Sequence, residues 1–286
     1  MIIALTGANG FIGSQIREKL NTFSTEILIL KRDDPDEVWI NIISKADAII
    51  NLAGSPIFKR WNKKNKKIIL ESRIISTRRI VAILNQLQKK STPKLLISAS
   101  ATGIYPDDKF EQFHEFSNSK GSGFLAEVVS KWEAEADELI NPSVRLVKAR
   151  LGVVLSLNGG MLKTVLPIFR LGMGGIIGSG KQITSFIHID DLLNAFLLFI
   201  NNEKTGGLYN LVTPNPITNK EFTKILAKKL HRPVLFRIPA FVLNILYGKA
   251  SCIMLNGTHV YPQRLINQGF SFSYPTFEEA IDNILS

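Results

Sequence analysis

The chain has 286 residues, 45% of them hydrophobic, which is enough for a substantial core in one large α/β domain or two smaller ones. Its single cysteine, Cys252, excludes an internal disulfide framework and fits a reducing compartment; no secretory signal is expected, because the first apolar segment is short and runs into glycines. The net charge is +11, and the longest apolar run, 192–200, is too short to cross a bilayer core of about 30 Å, so a cytoplasmic protein with no membrane partner is the expectation.

The N-terminal stretch organises the rest. An apolar run at 2–5 fits a buried strand and breaks at Thr6-Gly7. Glycines then stand at 7, 10 and 13, and Ile12, Ile16 and Leu20 follow at helical spacing. The three glycines serve different ends. Gly7 permits the turn out of the strand, Gly10 lets backbone approach a pyrophosphate, and Gly13 lets the helix pack closely. The unpaired N–H groups and positive end of that helix then face phosphates. A second strand is expected at 26–30. Where an acid after that strand would accept the ribose hydroxyls of NAD, this chain has Lys31-Arg32 ahead of Asp33-Asp34. A basic pair accommodates a 2′-phosphate, so NADP(H) is the expected cofactor.

Residues 33–46 are short for a full crossover helix, which predicts a poorly enclosed adenine side. A third strand over 47–54 ends in Leu52-Ala53-Gly54, small residues suited to backbone that passes near a ligand. A long amphipathic helix over about 62–89 should bury Leu70, Ile74, Thr77, Val81 and Leu84. Basic residues cluster at 59–67 and at Arg73, Arg78 and Arg79. With no aromatic platform or recognition helix beside them, a solvated face is favoured over a nucleic-acid groove.

The fourth strand, 95–105, ends in hydroxyl-bearing residues where doubly wound folds place their ligand crevice. Ser98 and Ser100 offer hydroxyls either to a nicotinamide or substrate oxygen or to local backbone groups. The polar stretch 106–123 reads as a loop over the crevice. A helix over about 124–140 should bury Leu125, Val128, Trp132, Ala136 and Leu139, and a strand follows at 144–152. Gly159-Gly160 and the glycines of 172–180 read as flexible connections around a helix at 162–170. The segment 186–191 leads into a helix at 192–200 with Asp190 as its cap; His188 is assigned a structural role, and no metal site is expected. A last strand at 208–212 completes the sheet. Beyond Pro214, helices carry Phe222, Ile225, Leu226 and Leu230, then Phe277, Ala280, Ile281 and Ile284, on single faces.

The segments 6–13, 51–54, 98–101 and 186–191 together resemble extended short-chain dehydrogenases/reductases, the NAD-dependent epimerase/dehydratase superfamily. Ser72-Arg73-Ile74, the stretch 124–128, Pro262 and the stretch 269–275 resemble its YfcH-like epimerase-family proteins. The resemblance covers essentially the whole chain. It implies an α/β, Rossmann-type doubly wound parallel sheet over 1–158 completed by 183–212, with 159–182 and 213–286 forming a smaller, mainly helical lobe on the substrate side. It further implies NADP(H) held by Gly7, Asn9, Gly10, Phe11, Ile12, Gly13, Lys31, Arg32, Leu52, Ala53, Gly54, Arg73, Ser98, Ala99, Arg150, Gly152 and Val153.

One departure bears on chemistry. Members of the superfamily use a Tyr-x-x-x-Lys pair on the helix after the serine-bearing strand. Here Lys131 fits the lysine, and Glu127 stands four residues before it in place of tyrosine. Ser100 matches the serine and Tyr105 is a nearby phenol, so Ser100, Tyr105, Glu127 and Lys131 are the catalytic candidates. Glu127 and Lys131 read equally as an ordinary i,i+4 helix pair, the preferred assignment. The expected activity is an NADP-dependent oxidoreductase or epimerase on a small polar substrate, a nucleotide sugar being one example. The alternative is a catalytically impaired NADPH-binding regulatory or scaffold protein. Oligomerisation is open on either reading.

Overall fold

The computed structural model describes residues 1–21, 25–88, 92–108 and 110–286. In chain order its elements are β1 (Ile2–Thr6), α1 (Phe11–Asn21), β2 (Glu26–Leu30), α2 (Asp36–Lys45), β3 (Ala48–Asn51), α3 (Lys63–Gln86), β4 (Leu95–Ala101), β5 (Gln112–Phe113) and α4 (Phe124–Asp137). Then come β6 (Arg145–Leu151), β7 (Val153–Leu155), α5 (Gly160–Arg170), β8 (Gly175–Ile177), β9 (Ile183–Thr184), β10 (Phe186–His188), α6 (Ile189–Asn201) and β11 (Gly207–Leu211). The tail adds β12 (Ile217–Thr218), α7 (Asn219–Lys229), β13 (Phe236–Ile238), α8 (Ala240–Tyr247), α9 (Cys252–Leu255), β14 (His259–Val260), α10 (Gln263–Asn267) and α11 (Phe277–Leu285).

The main sheet is a six-stranded, all-parallel array in the order β11-β6-β4-β3-β1-β2. From β1 the chain steps outward to β2 and then returns across β1 to β3, so the order reverses between β1 and β3. Ligand crevices of doubly wound sheets open at such a switch point, at the carboxyl ends of the strands. The central strands β1, β3 and β4 are buried on both faces, as parallel sheets require. Ile3, Leu5, Ile50 and Ile97 pack with Ile16 and Leu20 of α1 and with Leu192, Phe196 and Phe199 of α6. Ala4, Ile49 and Leu96 face the opposite way, onto Trp39 and Ile43 of α2 and Ile80, Val81 and Leu84 of α3.

A separate core joins Leu162, Leu166 and Phe169 of α5, Phe222 and Leu226 of α7, and Phe277, Ala280, Ile281 and Ile284 of α11. The tail does not stay with it. Leu265 of α10 is buried in the main core, and Phe270 and Phe272 pack against that same core.

Several expectations need correcting. Residues 33–46 do hold a crossover helix: α2 spans only Asp36–Lys45, entered from Pro35, and Trp39 and Ile43, with Ile42 beside them, anchor it to the sheet. The segment 106–123 is tied down by β5, which pairs in parallel with β14 of the tail. The Asp107 carboxylate accepts from the Gly257 N–H at 2.9 Å, and the Pro106 carbonyl from the Thr258 hydroxyl at 2.9 Å. Gly159 and Gly160 are no flexible joint, since the Phe11 ring lies where their side chains would project. The cap of α6 is His188, whose Nδ1 accepts from the Asp190 N–H at 3.1 Å. Asp191 instead turns inward and accepts from the Ser273 and Tyr274 N–H groups at 2.7 and 3.0 Å. In α3 the buried face includes Ile69 and Ile80, while Leu70 and Ile74 are only half-buried; position 89 lies outside the described residues.

Candidate functional site

A cleft of about 570 Å³ opens at the switch point, within the usual range for small-molecule sites. Thr6, Gly7, Asn9 and Gly10 line one side, Lys31, Arg32, Asp33 and Trp39 one end, and Leu52, Ala53, Gly54, Ser72, Ser76 and Arg79 the other side. The rim of the cleft is stitched by hydrogen bonds between the ends of β1 and β3. Thr6 Oγ1 donates to Asn51 Oδ1 at 2.7 Å and accepts from the N–H groups of Leu52 and Ala53 at 3.0 and 3.1 Å. The Asn51 amide donates to Thr77 Oγ1 at 2.8 Å. The ends of β1 and β3 are thereby locked together through buried groups whose hydrogen bonds are worth most away from water.

Gly7 and Gly13 of the first turn are sterically required. Gly7 has φ of +66°, and a Cβ there would lie 2.7 Å from the Leu52 carbonyl oxygen. A Cβ on Gly13 would collide with the Gly7 carbonyl, so the first turn of α1 sits directly on the turn leaving β1. Gly10 N–H donates to the Gly7 carbonyl at 2.9 Å and closes that turn. This is a cradle of backbone at a helix N-terminus, the arrangement that favours a phosphate. A dinucleotide pyrophosphate fits the donors and the space.

At the far end the β2–α2 turn is closed by Asp34, whose N–H donates to the Lys31 carbonyl and whose carboxylate accepts from the Lys31 N–H at 3.4 Å. Lys31 and Arg32 extend from this turn as exposed side chains on the cleft, with Asp33 beside them.

The other expected cofactor residues lie outside the lining of this cleft. Phe11 and Ile12 are half-buried against the main core rather than lining the cleft. Arg73 lies behind Gly54: its guanidinium would be 3.2 Å from a Cβ there, it donates to the carbonyls of Ser55 and Ile69 at 3.1 and 2.8 Å, and it stacks over Trp132 at 5.3 Å. Burial lowers its pKa to about 10. Arg73 therefore braces the wall of the cleft. Gly152 is needed for packing, because a Cβ would meet Val212 and the Ser185 carbonyl, and Val153 joins the second core. Ser98 and Ala99 are buried in β4, and the Ser98 hydroxyl has no partner among the described residues.

The catalytic candidates separate into two groups. Ser100, Arg150 and Asn210 are neighbours on one rung across β4, β6 and β11. Glu133, projecting from α4, joins them: Ser100 Oγ donates to its Oε1 at 2.5 Å, and Arg150 donates to both oxygens at 2.7 Å. Arg150 also donates to the Tyr105 hydroxyl at 2.8 Å. That hydroxyl shares its own hydrogen between Asn210 Oδ1 at 3.0 Å and the His114 carbonyl at 3.1 Å. All five side chains of this network are buried. Burial raises the Tyr105 phenol above its ordinary value, despite the charge of Arg150, the hydrogen bond it donates to Asn210 and the one it accepts from Arg150. Burial also opposes ionisation of Glu133, but the hydrogen bonds and charge of Arg150 outweigh it and hold the carboxyl below its usual range. Arg150, expected at the cofactor, is thus consumed by an internal ion pair. Glu127 and Lys131 lie apart from this network on the exposed face of α4, paired at 2.7 Å with each side chain 53% exposed. They form the ordinary helix pair and reach no described cleft.

Trp39, Glu133 and Asn210 were absent from the sequence expectations, Thr6 and Asn51 entered only within motif segments, and Arg79 only within a basic cluster. A lone acid at a position on the buried stripe of α4 was the one available signal, for Glu133.

The comparisons agree with this geometry. Residues 3–123 match the NAD dependent epimerase/dehydratase family, and residues 238–284 match a domain of unknown function, DUF1731. The chain is 35% identical over 303 aligned residues to the chloroplastic SDR39U1 homolog of Arabidopsis thaliana, an epimerase family protein, covering 100% of this chain and 87% of the relative. A crystal structure of the human epimerase family protein SDR39U1 with NADPH superposes with a TM-score of 0.93 at 30% identity over 99% of each chain. A nucleoside-diphosphate sugar epimerase from Corynebacterium glutamicum superposes at 0.81 with 29% identity, over 100% of this chain and 58% of that one. Cleft, sheet order and relatives concur: the chain belongs to the epimerase family, the NAD(P)-binding epimerase/dehydratase proteins of Rossmann fold.

Proposed function

We propose that this chain binds NADP(H) in the switch-point cleft and prefers it to NAD(H). The observation that carries the reading is the backbone cradle of Gly7, Gly10 and Gly13, where a side chain at Gly7 or Gly13 would strike backbone, opposite a basic pair at the other end of the same cleft. Gly7, Asn9 and Gly10 would hold the pyrophosphate, Leu52, Ala53 and Gly54 would flank it, and Lys31 and Arg32 would take the 2′-phosphate. NADPH bound to the human relative SDR39U1 supports the same reading. When bound, such a cofactor supplies hydride chemistry. Isothermal calorimetry with NADPH and NADH tests it: heat with NADPH and markedly weaker binding of NADH are expected, and no heat with either would end the proposal.

For activity, we propose oxidoreduction or epimerisation of a small polar substrate, a nucleotide sugar for instance, held by a lobe built from residues 159–182 and 213–286. The described residues favour a second reading at one point: Ser100, Tyr105, Glu127 and Lys131 are all engaged with protein partners. A chain whose acid–base groups are occupied in this way suits an NADPH-binding regulatory or scaffold protein. Labelled-hydride transfer from NADPH across carbonyl compounds and nucleotide sugars decides between the two. Transfer abolished in a Ser100→Ala, Tyr105→Phe variant supports the enzyme with these roles, and NADPH binding without transfer to any substrate supports the regulator.

A further inference from the structure

Arg79 does something that neither the glycine motif nor the basic pair explains. It comes from the middle of α3 and reaches across to the β2–α2 turn. There Nη2 donates to the Asp34 carbonyl at 2.7 Å, Nη1 to the Arg32 carbonyl at 3.3 Å, and Nε to Asp36 Oδ1 at 2.7 Å. Its guanidinium also stacks on the Trp39 ring at 4.2 Å, and the Trp39 indole N–H donates to the Lys31 carbonyl at 2.8 Å. Arg79 and Trp39 together therefore grip the carbonyls of Lys31, Arg32 and Asp34, three of the four residues of the turn that carries the basic pair. Arg79 and Trp39 also line the cleft themselves. Its side chain is 20% exposed whereas that of Asp36 is 74% exposed, so the arginine is held by the turn more than by the surface ion pair.

We infer that Arg79 is a positioning residue for cofactor specificity: by clamping the backbone of residues 31–34 it presets the direction in which Lys31 and Arg32 leave the turn, and so sets the discrimination between a 2′-phosphate and a 2′-hydroxyl. The inference rests on the proposed preference for NADP(H). The planar fork matters, because one guanidinium satisfies two carbonyls and a carboxylate at once while its face covers Trp39. A lysine would keep the charge and lose that geometry. A clamp of this kind raises affinity by removing conformational freedom before binding rather than by touching the ligand.

Calorimetry on the full chain separates the possibilities, using NADPH, NADH, 2′,5′-ADP and 5′-AMP as probes with wild type, Arg79→Lys and Asp36→Asn. In Arg79→Lys the NADPH-to-NADH affinity ratio should fall roughly tenfold, the scale of one charge-assisted hydrogen bond, with NADH affinity little changed. The ADP-to-AMP ratio should fall in parallel. Asp36→Asn removes only the exposed leg and should lower both ratios in the same direction by about two- to threefold, on the scale of a solvent-screened pair. It also serves as the deciding variant if Arg79→Lys fails to fold. An unchanged ratio in the variants, or equal weakening of all four probes, would overturn the clamp while leaving the cofactor reading intact. A wild type that binds NADPH no better than NADH would overturn both.

Discussion

At the carboxyl ends of β1, β2 and β3 the chain leaves a cleft of about 570 Å³, lined by the backbone of Gly7 and Gly10 and by the exposed cations of Lys31 and Arg32. At the carboxyl ends of β4, β6 and β11, on the same sheet, the space is filled by Ser100, Glu133, Arg150, Tyr105 and Asn210, each hydrogen-bonded to another of the group. Exposed cations and free volume mark the first half as a place for a ligand. Saturated donors and close packing mark the second as a place where the protein holds itself together. Residue type alone does not distinguish them, since both halves carry arginine and hydroxyl side chains at strand ends. What separates them is that a buried carboxylate, Glu133, closes the second half, whereas Lys31 and Arg32 of the first stay exposed.

The contrast is broken most directly by removing Arg150. An Arg150→Met variant leaves Glu133 buried without its cation and should cost about 3–5 kcal/mol, a fall of roughly 10 °C in melting temperature. Adding Glu133→Leu should recover much of that loss, a non-additivity read by the double-mutant cycle. Affinity for NADPH should survive wherever the protein remains folded; selective loss of binding in a folded variant would show that the two halves are not separate. Next in size, Arg32→Glu should reduce the preference for NADPH by about tenfold or more with no change in melting temperature, judged by calorimetry.

A smaller effect sharpens the comparison through acid titration. Glu133 is held below its ordinary value of 4.5, so its contribution is complete above that pH and is lost as pH falls through the lower folded value. Melting temperature should therefore decline on acidification below pH 4.5 more steeply in wild type than in Glu133→Gln. The smallest effect belongs to the exposed pair. Glu127→Ala should change stability by no more than about 0.5 kcal/mol and leave NADPH affinity untouched. A large loss of affinity there would return Lys131 to the cofactor.

How much could be read from the sequence follows from the range of the interactions concerned. The strands of the sheet were legible because apolar runs bounded by polar residues need no partner to be recognised. The cradle was legible because its glycines recur every third position within one short stretch. Helix α2 was not, since its ten residues fall short of the length expected of a crossover helix. Short ladders such as β5 with β14 leave no pattern at all in two residues each. Arg150 stands at a strand end where a cofactor contact is reasonable, and only the meeting of α4 with β6 shows that Glu133 already occupies it. Arg79 looked like part of a basic surface cluster. Its true partners are more than forty positions upstream, in the turn after β2.

The return of the tail to the first core also constrains how this chain can be dissected. Residues 238–284, matched as a unit of their own, include Leu265, Phe270 and Phe272, which complete the apolar layer over β11 and α6. Cutting at the boundary of that unit would strip the nucleotide-binding half of part of its own interior. The C-terminal segment is thus better regarded as a staple across both cores than as a detachable module.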